Sequence, residues 1–143
     1  MTVRSTSSTP PPSTTSEDDT LARLRLLRSR RVGVATYRRL LAEHGTAAAA
    51  LAALPAVAQA AGVTSYQVCE MGPVRAELKA GKSAGARLIG DHMADYPDAL
   101  RDLPDAPPFL WALGRSDLIH RPMVALVGAR NASSLGTRMA KSM

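Results

Sequence analysis

The stretch LRLLRSRRVGVATYRRLLAEHG (residues 24–45) decides how the first half of this chain folds. Leu21, Leu24 and Leu27 recur every third residue, while Arg23, Arg25 and Arg28 fall mostly off that stripe. This spacing predicts an amphipathic helix running to about Arg30. Ser16, placed before Glu17, Asp18 and Asp19, supplies an N-cap and an acidic first turn, both favourable to the helix dipole. The RVGV segment at 31–34 breaks the pattern. Tyr37, Leu40, Leu41 and His44 then follow i, i+3, i+4, i+7 spacing and predict a second helix, with Gly45 as its C-cap.

Two helices about a short glycine turn form a helix-hairpin-helix-like unit. In such a unit the turn's N–H groups and nearby basic side chains can face a DNA phosphate. Arg30, Arg31, Arg38 and Arg39 are the candidate secondary basic patch. The usual second glycine of the hairpin is missing, so plain packing is the competing role for this turn. His44 lies on an apolar stripe and reads as a core or cap residue.

Working outward, Thr46 caps a short alanine-rich helix, and Pro55 opens another that ends at Gly62. A further helix is predicted over Thr64–Glu70, and Pro73 suits the first turn of one extending to about Ala80. Residues 17–80 thus read as a small all-helical domain.

The first sixteen residues hold ten Ser or Thr and three Pro, a composition that reads as a disordered tail. No apolar run follows a basic start, so no signal peptide is expected. The alanine-rich stretch 46–63 is interrupted by Pro55 and Gln59 and suits packed helices better than a membrane span. Cys69 is the one cysteine, which excludes a disulfide framework and a thiol-based metal cluster. A cytoplasmic protein with no membrane partner is the simplest reading.

The net charge is +6, and it is concentrated: seven arginines between residues 21 and 44 face one acid, Glu43. Residues 91–105 reverse the sign, with five aspartates against Arg101. The arginine cluster suits a polyanion such as nucleic acid. The alternative is a solvated helix face in an arginine-rich composition.

After Gly81 the texture changes. ARLIG (86–90), FLWAL (109–113) and MVALV (123–127) are strand-length apolar runs bounded by Gly, Pro and Asp, and Asp98 to Leu103 fits one helical turn. Phe109 and Trp111 read as core, with base stacking as the alternative. Met123–Val127 has no polar member, as expected of a strand covered on both faces. Gly128 permits a sharp turn, and Ser133 or Ser134 can cap a helix starting near Leu135 and continuing through Met139. A helix starting just past a strand's carboxyl end is an anion site, to which Arg130 could add a bidentate phosphate contact. The turn is neither GxGxxG nor a Walker loop. No paired carboxylates, Ser/His/Asp set or metal-spaced histidines accompany it, and His92 and His120 are isolated. No catalytic residue, metal or cofactor is therefore expected.

The order of these features resembles the DNA-processing family DprA, also called Smf. The family pattern is Tyr-Pro-x-x-Leu, a Pro-Pro pair before a short strand ending in Gly, and then Val-Gly-[Ser/Ala]-Arg-x-x-Ser-x-x-Gly. DYPDALRDLPDAPPFLWALG (95–114) supplies Tyr96, Pro97, Leu100, Pro107, Pro108 and Gly114. VALVGARNASSLG (124–136) supplies Val127, Gly128, Ala129, Arg130, Ser133 and Gly136 at the family spacing. Residues 24–45 are similar to that family's N-terminal helix-hairpin-helix domain, so the resemblance covers about residues 20–143.

The resemblance implies an α+β chain: a small helical domain (helix-hairpin-helix or SAM-like) over 17–80, followed over 81–143 by the start of a Rossmann-like α/β domain. It implies a non-enzymatic protein that binds incoming single-stranded DNA in natural transformation and helps load RecA. Gly128, Arg130, Ser133, Ser134 and Gly136 become the candidate nucleic-acid contacts, while Tyr96, Pro97 and the Pro107–Pro108 pair read as architectural. The chain reads as an N-terminal fragment or truncated product. The family's second glycine-rich loop, its homodimer surface and its RecA-contacting surface would lie outside it. Two other classes compete: a nucleotide-phosphate-binding enzyme of the broader Rossmann group, and a protein-interaction or dimerisation role for residues 17–80.

Overall fold

A computed structural model describes residues 15–125 and 127–142. Four helices come first: α1 (Thr15–Arg28), α2 (Val34–His44), α3 (Ala47–Ala60) and α4 (Met71–Ser83). Strand β1 (Arg87–Gly90), the short helix α5 (Asp98–Arg101), strand β2 (Phe109–Ala112), a 3-10 turn (Ser116–His120) and helix α6 (Ser134–Ser142) follow. The architecture is α+β, with the helices gathered N-terminally.

Helix α1 begins upstream of the expected Ser16 cap and stops two residues short of Arg30, because Ser29 N–H turns back to Leu26 O at 3.1 Å. The tail expectation falls largely on residues outside those described; Thr15 and Ser16 open α1. Gly45 closes α2 as expected, with φ 76° and its N–H on Leu41 O. Thr46 caps α3, its Oγ1 accepting Ala49 N–H at 3.2 Å.

Two helix expectations are corrected. Pro55 does not start a new helix but lies inside α3. Its ring removes only the N–H that Leu51 O would accept, and packing of Leu51, Leu54 and Ala58 holds the helix across the gap. Residues 64–70 form no helix. They run along the end of α1, where Cys69 N–H donates to Ser29 Oγ and Tyr66 Oη donates to Arg30 O. Backbone bonds to a neighbouring helix replace those a helix would make within itself.

The leucine stripe on α1 is wider than the period suggests. Leu26 is buried with Val32, Tyr37, Leu40, Ala50, Leu51 and Leu54. Leu24 faces another way, onto Val74 and Phe109. One helix thus serves both the helical cluster and the strands.

β1 and β2 pair antiparallel, with Ile89 opposite Leu110 and Leu88 opposite Trp111. Phe109 is buried as expected, whereas Trp111 is 37% exposed and lies at the margin of the core. Its indole covers Gly81 of α4, where a Cβ would overlap the ring. Tyr96 is fully buried, donates its hydroxyl to Pro107 O at 2.7 Å and lies beneath the Arg101 guanidinium. Buried Pro108 accepts Asp91 N–H through its carbonyl, so the Tyr96 and Pro107–Pro108 motif fixes the chain between the strands.

The third expected strand, 123–127, is not formed by its described residues. Val124 is 87% and Val127 97% exposed, and the described sheet contains only β1 and β2. An apolar run gains strand structure only against a neighbour's hydrogen-bonding edge, and none lies alongside it among the described residues. The parallel Rossmann-like arrangement is likewise not present in these residues.

Candidate nucleic-acid interface

The turn after residue 127 leads directly into α6. Ser133, not Ser134, is the cap: its Oγ accepts Gly136 N–H at 3.2 Å, and its carbonyl accepts Thr137 N–H at 3.0 Å. Ser134 is the first helical residue and Gly136 lies in the first turn. Ser133 chemistry is thereby committed to the helix, while Ser134 and Leu135 N–H have no hydrogen-bond partner among the described residues. Those two amides sit at the positive end of the α6 dipole.

Gly128 is not held in the left-handed region of a sharp turn. A Cβ there would meet nothing within 4 Å. The glycine leaves the backbone bare rather than forcing a sharp turn. Arg130 is exposed and has no hydrogen-bond or ion-pair partner among the described residues. Gly128, Asn131, Ser133, Gly136, Thr137 and Lys141 line a shallow depression between the turn and α6. Arg130 stands outside its lining, and no acid borders it. Arg138 and Lys141, exposed on the same helix, add positive charge that spacing alone had not singled out.

The secondary patch is divided by the fold. Arg38 donates to Pro104 O at 2.6 Å and Ala106 O at 3.0 Å, which makes it a fastener for that loop. Arg39 pairs with Glu43 at 3.0 Å. Arg23 is held by Asp19, Arg25 by Cys69 O and Arg28 by Glu77. Arg30 and Arg31, exposed at the turn, are the two of the seven whose side chains have no hydrogen-bond or ion-pair partner among the described residues. His44 ends α2 with its Nε2 buried and without a hydrogen-bond partner among the described residues.

No group of three or more His, Cys, Asp or Glu converges as a metal site among the described residues. No single helix among them is long and apolar enough to cross a membrane.

Residues 17–80 match the model of a DprA-like N-terminal HHH domain. Residues 87–143 match the model of the DNA recombination-mediator protein A family. No curated protein matches the chain. Matched in this order by two models that leave out only the N-terminal tail and the 81–86 junction, the chain belongs to the DprA/Smf family of DNA-processing proteins.

Proposed function

We propose that the chain binds single-stranded DNA through the turn at 128–136, without catalysis, within the DNA-processing role in recombination that the family carries. One observation carries the reading: within the matched region the turn carries an unpaired Arg130, the bare backbone of Gly128 and the open amides that begin α6. A phosphate on the Ser134 and Leu135 amides would take a further contact from Arg130, with Arg138 and Lys141 following the backbone. Such contacts read charge and not sequence. RecA as the protein loaded onto the bound strand belongs to the same proposal and rests on the family alone.

The test is fluorescence anisotropy with unrelated oligonucleotides over a salt series. Affinity falls steeply with salt as counterions are released. Arg130→Ala weakens binding several-fold for every sequence and lowers the salt slope by about 1. Unchanged affinity in that variant removes Arg130 from the site. Tighter binding of mononucleotides than of oligonucleotides, with turnover, favours the nucleotide-phosphate enzyme instead.

A further inference from the structure

Arg30 and Arg31, the two arginines without side-chain partners among the described residues, border a cleft apart from the turn at 128–136. It lies between the α1–α2 turn and the C-terminal end of α3 and encloses about 190 Å³. Its floor is aliphatic, formed by Val32, Leu54, Val57 and Val63, and no acid lines it. Arg39 also borders it but is paired with Glu43, so the unmatched charge belongs to Arg30 and Arg31.

The backbone that carries the two arginines is fixed. Val32 N–H closes on Ser29 O at 3.1 Å, and Arg30 O accepts the Tyr66 hydroxyl at 2.6 Å. Arg31 has a φ of 63°, in the left-handed region where a side chain is costly and glycine is the ordinary occupant. No contact of its side chain within the described chain offsets that cost, since the guanidinium is exposed and unpaired there. Backbone strain held in place by its surroundings is a mark of functional positions. A site whose backbone is set beforehand also loses little entropy when a ligand arrives.

We propose that the cleft receives an acidic peptide segment of a partner protein, one bulky apolar side chain seating on the aliphatic floor while flanking carboxylates pair with Arg30 and Arg31. Size and chemistry select this occupant. An apolar cavity of about 150 Å³ takes up a benzene-sized group, so the cleft holds one large side chain and not a run of them. A guanidinium offers a carboxylate two parallel N–H donors, which suits Asp and Glu beside that anchor. An apolar anchor in a pocket with a charged rim is how interfaces concentrate their binding energy. Residues 1–14 contain no acid, so they do not supply the countercharge. Nucleic acid fits less well, because Tyr66 is the single aromatic lining residue. Single strands use successive aromatic platforms along a groove.

Fluorescence anisotropy of the full chain with a labelled synthetic peptide, Gly-Asp-Asp-Leu-Asp-Asp-Gly with an amidated C-terminus, tests this. The peptide binds saturably, and replacing its leucine by serine, or its aspartates by asparagine, weakens binding about tenfold or more. A chain carrying Arg30→Glu and Arg31→Glu loses affinity to the same degree, with circular dichroism verifying that it keeps its helices. Arg31→Gly removes one guanidinium and relieves the left-handed backbone, so peptide affinity drops several-fold while the helices stay intact. Absence of saturable binding overturns the proposal. So does equal binding of the serine peptide, which means charge attraction with no apolar seat, and so does affinity indifferent to both arginines. If the Arg30/Arg31 reversal costs oligonucleotide affinity and leaves peptide affinity unchanged, the cleft belongs to nucleic acid and the proposal falls. If peptide affinity declines as the chain is concentrated, a second copy holds the cleft and the proposal falls as well.

Discussion

Trp111 on β2 donates its indole N–H to the Glu77 carboxylate on α4 at 3.2 Å. The same carboxylate accepts two N–H groups of Arg28 on α1, at 2.7 and 2.8 Å. One acid thus joins three elements that are distant in sequence.

Hydrogen bonding from Arg28 holds the Glu77 carboxyl below its ordinary 4.5, with burial opposing and Trp111 assisting. A carboxyl depressed in the folded state stabilises above its unfolded pKa and loses that contribution as pH falls through the folded pKa. Glu77→Gln should therefore cost about 1 kcal/mol at neutral pH, the scale of a well-formed but partly exposed pair. The difference from wild type should vanish once the carboxyl is protonated. Urea denaturation at neutral pH and again well below pH 4.5 checks both halves.

Gly81 lies inside α4, where alanine ordinarily gains about 1 kcal/mol over glycine. Here the added methyl would overlap the rigid Trp111 ring. Gly81→Ala should destabilise by about 1–3 kcal/mol, an overpacking penalty. Gly72→Ala in the same helix, where a Cβ meets nothing within 4 Å, should be neutral or mildly stabilising. Equal effects at the two positions in thermal melts would refute the argument.

Ser29 is 4% exposed and joins α1 to the extended segment after α3. Its Oγ donates to Arg25 O and accepts Cys69 N–H, each at 3.0 Å. Ser29→Ala strands a partly buried amide and should cost about 1–3 kcal/mol. Amide exchange at Cys69 should accelerate more than at the centre of α2, a comparison that isolates this contact from general destabilisation.

Tyr37 is fully buried, and its hydroxyl has no hydrogen-bond partner among the described residues. Burial, chiefly, pushes the phenol up to about 12, with the Arg23 guanidinium opposing the shift. An acid raised in the folded state stabilises below its unfolded pKa, and that contribution is lost as pH rises through the folded value. Wild-type stability should decline between pH 10.0 and about 12, and Tyr37→Phe should show a smaller decline, the remainder coming from Tyr66 and Tyr96, which are also raised. At neutral pH the phenylalanine variant should be neutral, or more stable by about 1 kcal/mol, since it removes an unsatisfied polar group.

Sequence periodicity carried most of the helical half, because a helix buries residues at spacings set by its own geometry. Leu21, Leu24 and Leu27 marked α1, but nothing local revealed that Leu26 is buried on another flank. The extended course of 64–70 depends on Ser29 and Arg30, which lie some 36–40 residues upstream. At the site, the order of Gly128, Arg130 and Ser133 was visible in the text of the chain. The different roles of Arg38 and Arg30 were not, because they turn on carbonyls 66 and 68 residues away. Residues 123–127 show the converse: their strand pattern was plain, yet a strand is a property of two chains of hydrogen bonds.

The placement of Leu24 and Leu26 on separate flanks of α1 has a thermodynamic meaning. Severing the chain near residue 80 would bare the Leu24 and Val74 surface that Phe109 and Leu88 cover. The boundary between the two matched regions therefore does not coincide with a seam in cooperativity. The helices and the strand pair should melt in one transition, with a shared midpoint for far-ultraviolet ellipticity and Trp111 fluorescence.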